Sequence, residues 1–252
     1  MEVVLDQGRI EATMLAGVRI IAFLVVAPPF SYNGIPARIK AMLAIGLALA
    51  VSSQVADGYE SPGTAGYITA LILELVVGAA LGFLVLVVFS AIQAAGSLID
   101  LFGGFSLAQG FDPQSMVNGA QFTRLFQMTA LALLFASDGY QLIIAGLART
   151  FSALPIGGGI DLSSPVEAIT GSVTNMFLAA VQIAGPLIVI LFLADVGLGL
   201  LTRVAPALNA FALGFPLKIL VTLLLAATLF VALPRIVSTL VDNAVRLVMG
   251  VG

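Results

Sequence analysis

The chain has 252 residues, no cysteine, no histidine and a net charge of −3. Its residues are 60% hydrophobic and 9% charged, and its mean hydropathy is +1.15, well above the mix of a water-soluble domain. Without His or Cys, zinc, haem and iron–sulfur ligation, disulfides, and Ser–His or Cys–His catalysis drop out together. The small acidic balance and the lack of a basic cluster argue against nucleic acid as a partner.

Lipid gives backbone groups no hydrogen-bond partner, so spanning segments are helices or closed barrels, and continuous apolar runs select helices. The expected class is all-α: a polytopic helical membrane protein of about six to eight apolar helical segments, some paired as helical hairpins, in one domain over residues 1–252. No internal repeat or disordered linker is evident. The first residues, MEVVLDQGRIEATM, carry Glu2, Asp6 and Glu11 where a cleavable signal would be basic, so the apolar run over 10–27 is read as a retained span. Arg19 lies in its middle, which is tolerable only if the side chain faces protein or water. Pro28 and Pro29 end the segment. The link FSYNGIPARIK then carries turn signals and closes on Arg38 and Lys40, which mark this connection as cytoplasmic and the Asp57/Glu60 loop as external. Segment 41–55 is apolar but only about fifteen residues long, short of the roughly twenty that span. It either tilts against neighbours or does not cross fully.

The chain is organised around 68–99, a proline-free apolar helix whose only charge is Glu74 and whose only amide is Gln93. At about 100° per residue, Glu74, Gly78, Gly82, Val85, Phe89, Gln93, Gly96 and Asp100 share roughly one 100° sector. Gly78 and Gly82 form a GxxxG step that lets a second backbone approach. This stripe is a helix-packing and assembly seam, or the border of a polar path; the two are compatible. Behind it comes the glycine-rich stretch LFGGFSLAQGFDPQSMVNGA. Segments 122–136 and 141–154, split by Ser137-Asp138-Gly139, read as a helical hairpin with Arg124 and Arg149 at or near its ends. A helix over 173–201 follows, interrupted at Gly185-Pro186 and carrying Asp195, and then one over 208–233 with Lys218 inside.

Asp195, Arg203 and Lys218 sit in an apolar context, where unpaired charge is expensive. They are expected to pair with one another or with partner chains, with Arg203 buried and paired. Asp195 and Lys218 lie on consecutive helices and can pair, while Asp195 and Arg203 share a helix face. Pro206, Gly214 and Pro216 interrupt the helix around Asn209, as a hairpin turn or as a discontinuous element at a gate. After Pro234 a separate amphipathic C-terminal helix over 235–249 is expected, interfacial or partner-facing, with an i,i+4 Asp242–Arg246 pair.

These residues resemble the FliR family, called SctT in injectisomes, the export-gate subunit of flagellar and type III secretion systems. The strongest match is DVGLGLLTRVAPALNAFALGFPLKILV, carrying the family's G-L-L-x-R-x-x-P-x-x-N-x-F-x-L-G-F-P-L-K pattern from Gly199 to Lys218. A second runs from Glu74 through AAGSLIDLFGGFSLAQGFDPQS to Ser115, and a third holds Arg19, Pro29, Phe30, Ser31, Pro36 and Arg38. A weaker one involves Gly139, Phe151 and Pro155. The chain departs from the family at Tyr140, where His is frequent, at Phe102 and Ala207, where Gln is, and at Thr150, where Ser is.

The resemblance implies a non-enzymatic subunit without a cofactor. It would assemble with FliP-type and FliQ-type membrane subunits and an FlhB-type subunit into a helical, closed pore for unfolded export substrates. That places it in lipid of the bacterial inner membrane, at a flagellar basal body or injectisome base. It also implies that residues 103–120 plug the pore. Phe102, Phe105, Leu107, Phe111 and Met116 would fill it, Gly103, Gly104 and Gly110 would give mobility, and Asp112-Pro113 would turn the tip. The alternative for this stretch is an external connecting loop. A secondary transporter using broken helices near Asp100, Asp195 and Arg203 is the other functional class. An intramembrane hydrolase fits worst, because Glu74 and Asp100 lie about 39 Å apart along one helix and cannot form a dyad.

Overall fold

The computed structural model describes residues 7–32, 34–105, 121–157, 163–205 and 210–250. Among these the chain forms seven helices: α1 (Gln7–Val26), α2 (Ala37–Ala56), α3 (Gly63–Phe102), α4 (Gln121–Ala136), α5 (Gly139–Ala153), α6 (Ser163–Val204) and α7 (Ala210–Met249). The chain is an all-α polytopic membrane protein. Four of its helices, α2, α3, α6 and α7, are long and apolar enough to cross a bilayer, and the bent pair α4–α5 makes a fifth candidate.

Several elements differ from the sequence expectation. Helix α2 has 20 residues rather than fifteen, because Arg38 and Lys40 belong to its first turn behind Pro36 at the N-cap. A first turn need not be apolar, and its amides have no intrahelical partner for proline to remove. Helix α6 runs through Pro186 without a break, and α7 runs through both Pro216 and Pro234. The expected short helix over 235–249 is therefore the end of α7. Prolines inside apolar helices are tolerated where neighbours and local adjustments satisfy the freed carbonyls. Helices α4 and α5 meet at a 74° bend rather than folding back as a hairpin. Asp138 makes that corner in the left-handed conformation, with φ 54°.

The contacts divide into two compact units, and α3, α4, α6 and α7 contribute residues to each. The first holds residues 1–88, 134–173 and 240–252. Its core is the buried stripe of α1 (Leu15, Ala16, Ile20, Phe23) with Leu81 and Leu84 of α3 and Ile143 and Leu147 of α5. Helix α2 packs on α1 through small residues, with Gly17 facing the Ala48 methyl. The end of α7 contributes Leu240, Val241, Ala244 and Val248, all buried. Val241 reaches Gly139 at the start of α5, so the chain itself covers the apolar face that was expected to look to a partner. The second unit holds residues 89–133 and 174–239. Its interior is a run of edge-to-face rings, Phe105–Phe122, Phe122–Phe126 and Phe126–Phe230, with centroids 5.1, 6.1 and 5.4 Å apart.

Candidate functional site

The first unit is built around Arg19. The Nε donates to Glu74 Oε2, and Nη2 donates to Glu74 Oε1 at 2.9 Å and to the Leu154 carbonyl at 3.0 Å. The Nη1 reaches the Thr150 carbonyl at 3.5 Å, and the guanidinium carbon lies 4.4 Å from the centre of the Phe151 ring. Both charged side chains are sealed, 1% and 3% exposed. One guanidinium thus joins the middle of α1 to the first third of α3 and takes up the Leu154 carbonyl at the C-cap of α5, a group left without an intrahelical donor, while the Thr150 carbonyl also accepts from the Leu154 amide at 2.7 Å. Of the two surroundings the sequence allowed, protein or water, Arg19 faces protein, and its partner was not foreseen. Glu74 and Arg19 are opposite charges inside apolar stretches 55 residues apart, and their complementarity was the one available signal.

The glycine stripe of α3 is a packing seam within the chain. A Cβ placed on Gly78 would fall on the Arg19 carbonyl oxygen and lie 2.9 Å from the Ala22 methyl. One on Gly82 would lie 2.9 Å from the Phe23 carbonyl oxygen and 3.0 Å from the Val26 Cβ. Helix α1 is the backbone that the GxxxG step admits, where the sequence pointed to assembly as well. Gln93 is half-buried further along the same stripe.

In the second unit, the stripe ends on Asp100, which is fully buried. Its Oδ1 accepts from the Phe122 amide at 3.0 Å, and its Oδ2 accepts from the amide and hydroxyl of Thr123 at 2.9 Å each. A carboxylate on α3 thereby satisfies the first amides of α4 and complements its dipole, the work usually done by a residue of the helix's own N-cap. Gly96 makes room for this junction, since a Cβ there would lie 2.6 Å from the Thr123 Cα. Phe102 is half-buried at the end of α3. Gly103 leaves no room for a side chain beneath the buried Thr222, and Gly104 turns the chain with φ +83° against the Phe215 ring. Leu107, Gly110, Phe111, Asp112, Pro113 and Met116 lie outside the described residues.

The remaining charges divide. Lys218 Nζ pairs with Asp195 Oδ1 at 2.7 Å, joining α7 to α6 as the sequence allowed, with exposures of 22% and 44%. Arg203 corrects the expectation: it is exposed and makes no ion pair among the described residues. Arg246 is exposed too, and it donates to the Asn243 side chain at 2.6 Å and the Asp242 carbonyl rather than to the Asp242 carboxylate. At the start of the first unit, Ser61 and Tyr59 of the loop between α2 and α3 reach Glu11 at 2.7 and 3.5 Å. Burial, then the Glu11 carboxylate, pushes the Tyr59 hydroxyl above its ordinary range.

Among the described residues both buried carboxylates, Glu74 and Asp100, are occupied in joining helices, which defines a polytopic membrane scaffold. The chain belongs to the family described as bacterial export proteins, family 1, whose model matches residues 10–244; this is the FliR/SctT family that the motifs resemble. It is 34% identical over 211 residues to the flagellar biosynthetic protein FliR of Escherichia coli K12, covering 84% of this chain and 81% of that one. With the FliR protein of Bacillus subtilis it shares 29% over 252 residues, 96% of each chain. With Yop proteins translocation protein T of Yersinia pestis it shares 28% over 151 residues, 58% of this chain and 56% of that one.

Proposed function

We propose that this chain is a core, non-enzymatic subunit of a type III protein export gate in the bacterial inner membrane. It joins FliP-type and FliQ-type subunits, with an FlhB-type subunit, around the channel for unfolded substrates in a flagellar basal body or injectisome. The family match over residues 10–244 carries this reading. Helix length supports it physically. Helices α3, α6 and α7 have 40, 42 and 40 residues, so each is about 60 Å long at 1.5 Å per residue. A hydrocarbon core of about 30 Å would hold such a helix only at a tilt near 60°, beyond the range seen for membrane helices. Apolar side chains such as Phe177, Leu193, Leu224 and Val231 are exposed along α6 and α7, and neighbouring subunits cover what lipid cannot.

The transporter reading rested on broken helices near Asp195 and Arg203. Helices α6 and α7 run through Pro186, Pro216 and Pro234, while the break expected around Asn209 lies outside the described residues. Residues 103–120 keep the role of pore plug in this proposal. The first residues of that stretch are held in the chain, with Gly103 and Gly104 buried and the Phe105 ring against Phe122.

Purification of a tagged chain from native membranes tests the proposal. A stable complex with the three partner types is expected. An isolated monomer or homodimer that binds a solute would overturn it. Deleting residues 106–110 should leave that complex assembled and make the membrane leak small ions; a sealed membrane around a fully assembled deletion complex returns the stretch to a connector.

A further inference from the structure

Helices α1 and α2 leave an open groove of about 350 Å³ between them. Gly17, Ala44 and Ala48 form its floor, and Met14, Ile45 and Leu49 its rims; the three rim side chains are 57%, 61% and 62% exposed. The one hydroxyl in the lining, on Thr13, is taken up in donating to the Arg9 carbonyl at 2.7 Å. The groove therefore offers hydrocarbon and no hydrogen bond.

Its two mouths differ in charge. Beyond Ala41, the last lining residue toward the start of α2, stand Lys40 and Arg38. At 100° per residue, Arg38 projects about 60° to one side of the lined face and Lys40 about 100° to the other. The two cations flank the mouth. Neither makes an ion pair among the described residues, and the uncapped first turn of α2 adds positive potential. At the other mouth, Arg9 and Glu11 carry opposite charges within one turn before Thr13.

We propose that this groove is a specific site for an anionic phospholipid. One acyl chain lies over Gly17, Ala44 and Ala48, and the phosphate headgroup is held between Arg38 and Lys40. The complementarity is of both kinds: a purely apolar trough suits hydrocarbon, and a doubly cationic mouth suits a phosphate. A zwitterionic lipid fills the trough equally well but gains less at the mouth, so the site selects by headgroup.

The test is native mass spectrometry of the full chain released from nanodiscs of equal parts phosphatidylglycerol and phosphatidylcholine. Retained phosphatidylglycerol should exceed retained phosphatidylcholine. Arg38→Gln and Lys40→Gln should each lower that preference about fivefold, the share of one basic side chain near an anionic surface. Ala41→Phe, at an exposed position, should block the trough and lower retention of both lipids with the fold intact by circular dichroism. Equal retention of the two lipids by the unaltered chain overturns the proposal, as does unchanged retention in Ala41→Phe. A photo-crosslinker at Ile45 in cells separates the remaining occupant: a lipid adduct supports the site, and a protein adduct as the main product overturns it.

Discussion

Two ion pairs of the same chemistry stand in opposite surroundings. Arg19 and Glu74 in the first unit are 1% and 3% exposed, whereas Lys218 and Asp195 in the second are 22% and 44% exposed. The guanidinium also serves two backbone carbonyls and an aromatic face, while the ammonium has one carboxylate oxygen within salt-bridge reach. The difference teaches that a charge in an apolar helix becomes structural through the number of groups it must satisfy, and not through its having an opposite charge nearby. A sealed pair is costly to interrupt and contributes little if both members go, whereas an open pair is cheap either way.

The largest expected effect follows from breaking the sealed pair. Glu74→Ala leaves Arg19 buried without a counter-charge, at about 3–5 kcal/mol, so the chain should fail to accumulate in membranes. Replacing Arg19 and Glu74 together by leucine should be the milder change. Normal accumulation of Glu74→Ala, measured by immunoblot of the membrane fraction, would show that Arg19 is not sealed at all.

The next effect sharpens the same region. Gly78→Ala drives a methyl into the α1 backbone and should cost about 1–3 kcal/mol. Gly46→Ala on α2, where a Cβ meets nothing within 4 Å, should be neutral or stabilising by up to about 1 kcal/mol. Thermal unfolding in detergent ranks them, and equal melting temperatures would contradict the seam.

A smaller loss is expected at the junction of α3 and α4. Asp100→Ala removes a cap and leaves amides of Phe122 and Thr123 without acceptors, at about 1–2 kcal/mol. Asp100→Asn keeps one acceptor and should lose less. Hydrogen exchange at those two amides reads this directly; unchanged protection in Asp100→Ala sinks the capping role.

The smallest belongs to the open pair. Asp195→Asn should cost about 0–1 kcal/mol, and the difference should vanish at high salt. A loss as large as that of Glu74→Ala would erase the contrast between the two pairs.

Much of this was legible in the residues. The stripe from Glu74 to Asp100 repeats at helical spacing, so its glycines marked the seam and its acids marked the buried contacts. Arg19, alone in an apolar run, announced a partner. What stayed hidden is long-range. Nothing local says that Arg19 meets a residue on α3 and carbonyls on α5, because pairing across helices leaves no periodic trace. Arg203 shows the same limit of local reading: the sequence shows that a charge is expensive in lipid, but not that this chain by itself presents the side chain outward. Proline misled at three positions. Pro186 and Pro216 read as interruptions and Pro234 as a helix end by rules made in water, but an apolar helix is held together across the missing amide by its surroundings. Arg38 and Lys40 shortened α2 on paper because charge was taken as link rather than as a first turn.

The long reach of Arg19 has a consequence in time. Glu74 is 55 residues further along the chain and Leu154 is 135. At about 5–20 residues per second, a ribosome delivers Glu74 about 3–11 s after Arg19, and Leu154 about 7–27 s after it. During that interval the guanidinium has none of these acceptors, and an arginine at the centre of a lone membrane helix costs about 2.5–3.5 kcal/mol on insertion scales. Helix α1 is not among the four helices apolar enough to cross by themselves. A pause of α1 at the water boundary until α3 brings its carboxylate is therefore the expected order of events. The birth order of the helices and their order of burial are different sequences of events.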